Sequence, residues 1–208
     1  MPVKEIETPV GLARAHVERA KDARGSLVVS HGAGGGIDTG DLRALRRLIR
    51  EGWTYVRVEQ PWRVAGRRIA PAPKTLDAAW VPIIEQLLRG RWGLTTPLVV
   101  GGRSAGARVA CRTAEQVGAD GVLAMAFPLH PPGKPEKSRA TEATQVLEHG
   151  IPLAVVQGER DPFGDPQEVR DALGPRAHIF AAKGTHQFTG DPTDVLAEVS
   201  AWLNTIPG

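Results

Sequence analysis

The chain has 208 residues, 41% hydrophobic and 24% charged; that is length and apolar content enough for a buried core, far from the composition of chains that stay disordered. Its 26 Lys and Arg against 23 Asp and Glu leave a formal charge of only +3. The arginines are spread over helical faces, as at Arg43, Arg46, Arg47 and Arg50, so a nucleic-acid partner is not expected. Cys111 is the single cysteine, which excludes an intrachain disulfide and a cysteine metal cluster built from this chain. The opening MPVKEIETPVG lacks the apolar core of a signal peptide and no run of 18 apolar residues offers a membrane span. A cytoplasmic setting without membrane contact is expected, with residues 1–208 as a single domain.

In chain order, nearly continuous apolar runs occur at 26–30, 55–58, 97–100, 121–127, 152–156 and 177–180. Such runs predict strands of a parallel sheet covered on both faces, where apolar-polar alternation disappears. Between them the spacing predicts helices. One follows Asp38, with Leu42, Leu45, Leu48 and Ile49 on one face; another lies near Trp80, with Ile84, Leu87 and Leu88. The last is opened by Asp191 as cap and Pro192 at the first helical position, with Val195, Val199, Trp202 and Leu203 as its apolar stripe. Strands alternating with helices imply right-handed crossovers and a doubly wound sheet, with chemistry gathered at the carboxyl ends of the strands. Two loops rich in proline and basic residues, 60–74 and 128–137, follow predicted strands and should overhang that same edge.

The sequence Gly102-Arg103-Ser104-Ala105-Gly106 follows the strand 97–100 and precedes a helical segment, 107–117. Gly-x-Ser-x-Gly at a strand-to-helix junction lifts a serine hydroxyl above the sheet, because small neighbours let the backbone turn sharply. Ser104 is thus a candidate nucleophile; the alternative is that the glycines serve only packing and Ser104 caps the helix. A serine hydroxyl needs a base and an acid that orients the base. His186, in Gly184-Thr185-His186-Gln187-Phe188 beyond the strand 177–180, can supply the base, whereas His178 inside that strand and His16 and His149 in polar surroundings read as structural or solvated. Asp161, directly after the strand 152–156 and before Pro162, is the candidate acid, with Glu159 and Asp165 as competitors. Ser, acid and His in that chain order match α/β-hydrolases rather than the known protease orders.

The first strong strand ends in His31-Gly32-Ala33-Gly34-Gly35-Gly36. A dinucleotide site would need glycines at the first, third and sixth places, and that register fails at Ile37 or Thr39. The turn instead offers a backbone N–H from Ala33, with Gly34 second, to join that of Ala105 as an oxyanion hole. His31 braces the turn.

The segments HGAGGG, GGRSAG, GERDPFG and GTHQF resemble the α/β-hydrolase superfamily over nearly the whole chain. In outline they are similar to dienelactone hydrolases, and more closely to the subgroup that includes the testis-expressed hydrolase-like protein and the hydrolase-like domain of an NSL chromatin complex subunit, on RVEQPWRVAG, GGRS and FPLHPPGK. The resemblance implies an α/β-hydrolase fold without a cap domain and Ser104, Asp161 and His186 as the triad. Dienelactone hydrolases carry cysteine where this chain has Ser104, so their substrate does not transfer.

The reading is a serine hydrolase for a small-molecule carboxylic ester or thioester, needing no metal or organic cofactor. Arg63, Arg67 and His130, in the two basic loops, are candidate contacts for an anionic substrate. A silent α/β-hydrolase-like interaction module, a serine peptidase and an acyltransferase fit the same residues, because the triad does not choose the leaving group or acceptor.

Overall fold

A computed structural model describes residues 2–89, 94–189 and 193–207. Eight strands, β1 (Val3–Thr8), β2 (Gly11–Glu18), β3 (Gly25–Ser30), β4 (Trp53–Glu59), β5 (Leu98–Arg103), β6 (Gly121–Met125), β7 (Leu153–Gly158) and β8 (His178–Ala182), form one sheet in the order β1-β2-β4-β3-β5-β6-β7-β8. β1 pairs antiparallel with β2 and β2 with β4, and every other pairing is parallel.

The apolar runs become β3 to β7, each buried along its length apart from Glu59 at the end of β4. The side chains of β3 split by parity. Val28 joins Val56, Val100, Val122 and Val155 beneath one helical layer, while Leu27 and Val29 join Tyr55, Val99, Leu123 and Val156 beneath the other. Full burial of an aliphatic side chain contributes about 1.5–3 kcal/mol, so two-sided cover makes these strands the stable centre of the molecule. The run 177–180 behaves differently: β8 is the sheet edge, and only Ala182 of its five residues is buried.

The first layer holds α2 (Pro61–Val64), α3 (Pro73–Leu88), α4 (Ala105–Thr113), α5 (Thr141–Glu148) and α6 (Pro166–Leu173). On α3 the buried stripe is Leu76, Ala79, Trp80, Ile83, Ile84 and Leu87, and Leu88 turns out to solvent instead of joining it. The opposite layer holds α1 (Gly40–Ala44) and α7 (Thr193–Leu203). After Ala44 the chain tightens into a 3₁₀ helix, Leu45–Glu51, so Leu42, Leu45 and Leu48 are buried and Ile49 only partly. Val199, Trp202 and Leu203 close the core from α7, while Asp191 and Pro192 lie outside the described residues. Arg43, Arg46, Arg47 and Arg50 are exposed. Among the described residues no helix is long and apolar enough to cross a membrane.

Candidate active site

The carboxyl ends of four parallel strands meet on one edge of the sheet, as crossover topology requires. β3 ends at Ser30, opposite Gly102 of β5, and this register sets the glycine turn 32–36 beside the turn that carries Ser104. The approach is close enough to exclude side chains. A Cβ on Gly32 would lie 3.2 Å from the Cβ of Ser104, and one on Gly106 would lie 2.6 Å from the Ser30 carbonyl oxygen.

Ser104 has φ +53°, a conformation that costs a non-glycine residue energy and is kept where the surrounding fold imposes it. It stands at the N-cap of α4, yet its side chain makes no capping bond. Its Oγ lies 2.9 Å from His186 Nε2 instead. His186 Nδ1 lies 2.8 Å from Asp161 Oδ2. Asp161 is buried and its carboxylate only accepts, so Nδ1 carries the imidazole proton and Nε2 is left to receive the serine hydroxyl proton.

The acid is held from several directions. Asp161 follows β7 in a tight turn, where its N–H donates to the Gly158 carbonyl at 3.1 Å. Its Oδ1 accepts the backbone N–H of Phe163 at 2.9 Å, and its Oδ2 accepts from Gln157 Nε2 at 3.1 Å. Gln157 has no exposed surface, and the same amide nitrogen faces the carbonyls of Phe127 at 3.2 Å and Gly164 at 2.6 Å. The Phe163 ring lies against the His186 imidazole, centroids 4.4 Å apart. Neither competing carboxylate meets the His186 ring nitrogens: Glu159 is exposed and lines the cavity at Ser104, and Asp165 caps α6 through the N–H groups of Gln167 and Glu168.

His31 is buried beside the glycine turn. Its Nε2 accepts the Gln60 N–H at 3.1 Å, so its Nδ1–H donates to the Gly32 carbonyl at 2.9 Å, and its ring meets Trp62 edge-on at 5.3 Å. Burial is the main cause that lowers its pKa from 6.5. The far end of the turn is tied to β4, where buried Arg57 donates to the Ile37 carbonyl at 3.2 Å and pairs with Asp38 at 2.5 Å.

A cavity of about 860 Å³ opens at Ser104 and His186, within the size range of small-molecule sites. Ala33 and Gly34 border it, and Ala105 opens α4, where the first N–H groups have no acceptor within the helix. Its apolar wall includes Leu45, Met125, Phe188, Val195 and Leu196, so it runs into the layer built by α1 and α7. None of the three residues expected to contact an anionic substrate lines it. Arg63 and Arg67 go with α2 and its sequel to the first layer, where Arg67 borders a separate pocket of about 160 Å³ with Val10, Trp62 and Thr75. His130 is buried and engaged by the Pro131 carbonyl at 2.9 Å and by Glu168 at 3.3 Å. His178 is exposed on the sheet edge, His149 lies 3.8 Å from Glu115, and His16 pairs with Glu59 at 3.0 Å.

Two polar residues of the site stand outside the sequence reading, Gln157 and Arg103. Gln157 ends an apolar strand just ahead of the candidate acid, and a lone amide in that place is the signal that points to it.

A mostly parallel sheet of eight strands, covered by helices on both faces and delivering a serine through a strained strand-to-helix turn, defines an α/β-hydrolase fold without a cap. The chain belongs to the alpha/beta hydrolase family, whose domain model matches residues 23–197. Solved structures share the whole architecture. An alpha-beta serine hydrolase homologue from Coxiella burnetii superposes with TM-score 0.75 at 15% identity, over 99% of this chain and 97% of its own. XC6422 from Xanthomonas campestris, an α/β serine hydrolase without a lid, gives 0.75 at 18% identity, over 100% and 95%. Est1E from Butyrivibrio proteoclasticus gives 0.77 at 13% identity, over 97% of each chain. At such identities the likeness is one of fold. No curated protein matches the sequence significantly.

Proposed function

We propose that this protein is a serine hydrolase that cleaves a carboxylic ester or thioester of a small molecule, with residues 1–208 acting as one unit. The observation that carries the reading is the unbroken chain of contacts from Ser104 Oγ to His186 Nε2 at 2.9 Å and from His186 Nδ1 to Asp161 Oδ2 at 2.8 Å. Ser104 Oγ attacks the acyl carbon while His186 Nε2 takes its proton, and Asp161 stabilises the imidazolium. The oxyanion is met by the N–H of Ala105 at the start of α4 and by that of Ala33 or Gly34. Collapse expels the alcohol or thiol with the proton from His186, and water, activated in the same way, releases the acid and restores Ser104. The apolar wall of the cavity suits an apolar acyl group; Arg63, Arg67 and His130 stay outside its lining, which carries Lys183 and Glu159 instead.

The fold and the strained serine favour this reading over a silent interaction module, since a serine with no chemistry to perform would more economically cap α4. The subgroup resemblance to dienelactone hydrolases remains part of the proposal, with serine in place of their cysteine. The test is labelling by a fluorophosphonate at neutral pH with peptide mapping. Wild type should be modified at Ser104 alone, and Ser104→Ala should abolish labelling and lower ester turnover about 10⁴-fold or more. A folded wild type that neither reacts with the probe nor hydrolyses any of a panel of uncharged esters defeats the proposal.

A further inference from the structure

Arg103 occupies the variable place between Gly102 and Ser104, at the end of β5. A long cation there would ordinarily reach for water, yet Arg103 is 7% exposed. Its Nε pairs with Asp41 Oδ2 at 2.8 Å, and its Nη2 donates to the main-chain carbonyl of His186 at 2.5 Å. The guanidinium also passes under the glycine turn, with Nη1 3.3 Å from where a Gly32 Cβ would stand. Asp41 is itself held, because its Oδ1 accepts the Leu42 N–H at 2.9 Å in the first turn of α1. One side chain therefore touches the turn of the nucleophile, the start of the helix after the glycine turn, and the residue that bears the imidazole.

The partner atom on His186 is its backbone oxygen rather than its ring. A bond there leaves the imidazole free to exchange protons while fixing the backbone from which it hangs. The connection from β8 to His186 folds back on itself, with Thr189 N–H donating to Lys183 C=O at 2.8 Å and Thr185 N–H to Gln187 C=O at 3.2 Å. Those bonds shape the turn but run within it. Arg103 ties its tip across to β5. A guanidinium suits the task because one of its N–H groups reaches the His186 carbonyl while its charge faces Asp41 Oδ2, an ion pair at 2.8 Å without hydrogen-bond alignment, and a compact ammonium spans the two less well.

We propose that Arg103 is a positioning residue that, through Asp41 and the His186 carbonyl, clamps the glycine turn and the histidine turn onto Ser104. The proposal rests on the serine hydrolase reading and adds to it a residue that acts through others.

The test uses the full chain, p-nitrophenyl butyrate as substrate and a fluorophosphonate as probe of Ser104. A displacement of about 1 Å at a reacting group costs on the order of 100-fold, so Arg103→Ala should lower kcat and the phosphonylation rate constant by about 10- to 100-fold. The KM should stay within about twofold, as expected for loss of an interaction that matters to the transition state. Added ethylguanidinium should restore part of the rate. Arg103→Lys should fall between the two, and Asp41→Asn, which keeps the shape of the pair and removes its charge, should cost less than Arg103→Ala. The downfield proton resonance of His186 Nδ1–H should broaden in Arg103→Ala.

Wild-type kcat in Arg103→Ala overturns the proposal, as does a loss confined to KM, or a loss that follows melting temperature alone and gains nothing from ethylguanidinium. If Arg103→Ala does not fold, Arg103→Lys and Asp41→Asn decide by the same kcat, KM and resonance criteria. A folded wild type that neither reacts with the probe nor hydrolyses the esters defeats the hydrolase reading itself, whereas an active wild type beside an undiminished Arg103→Ala defeats only the clamp.

Discussion

Replacing Gly106 by alanine tests whether the seating of α4 against β3 sets the geometry at Ser104. The added Cβ would lie 2.6 Å from the Ser30 carbonyl oxygen, 2.8 Å from the Ser30 carbonyl carbon and 2.9 Å from the His31 carbonyl oxygen. All three are main-chain atoms at the end of a central, fully buried strand, so none can rotate out of the way. Carbon and carbonyl oxygen come to rest at about 3.3 Å, which requires α4 to retreat by about 0.7 Å. Overpacking of this kind costs about 1–3 kcal/mol. Ser104 stands two residues earlier in the same turn, and a displacement of that size should slow its reaction by about tenfold or more. Urea unfolding followed by fluorescence would give the first number as a fall in midpoint at constant slope, and fluorophosphonate kinetics the second. A Gly106→Ala protein that matches wild type in both midpoint and rate would refute the claim that this contact is tight.

Two further outcomes follow from buried polar groups. Gln157→Leu keeps the volume but deprives Asp161 Oδ2 and the carbonyls of Phe127 and Gly164 of their shared donor; urea titration should show a loss of about 2–4 kcal/mol, and a loss below about 0.5 kcal/mol would mean that other groups satisfy these oxygens. The pKa of His31 is lowered from 6.5, mainly by burial, so the unfolded chain binds a proton that the folded chain refuses. Its contribution to stability is complete above the unfolded value and declines as pH falls below about 6.5 toward the folded one. Melting curves between pH 5 and 8 should show that decline, and in His31→Gln the slope should be shallower; an equal slope in both would assign it to other groups.

The parallel strands were legible because cover on both faces leaves an unbroken apolar run, as in Leu27-Val28-Val29 and Leu98-Val99-Val100. β1 and β2 escaped notice for the opposite reason. They alternate, and the buried positions of β2 are Ala13, Ala15 and Val17, two of them too small to mark an inward face among arginine, histidine and glutamate. The positions of Ser104, Asp161 and His186 could be read because each lies within four residues of the carboxyl end of a strand, and parallel topology brings those ends to one edge. Which layer a loop joins is not written in that pattern. Arg63 and Arg67 follow a strand as the glycine turn does, yet the α2 segment packs toward β2 and α3, away from the cavity. Arg103 and Asp41 lie 62 positions apart, and no local spacing announces a pair that forms only when β3 and β5 have paired.

β1, the edge opposite β8, also bears on how copies of the protein meet. A free strand edge presents unpaired N–H and C=O groups on which another chain can build. Within its six residues β1 carries Lys4, Glu5 and Glu7, with Lys4 Nζ folded back to the Gln86 carbonyl at 3.1 Å and Glu5 paired to Arg14 at 3.3 Å. An incoming strand would have to strip water from these charges and displace the Gln86 side-chain amide, which donates to the Glu7 carbonyl at 2.9 Å. The hairpin β1–β2 thus works as a fender: it completes the sheet on that side and makes the sheet's last rung a poor place for a second chain to dock.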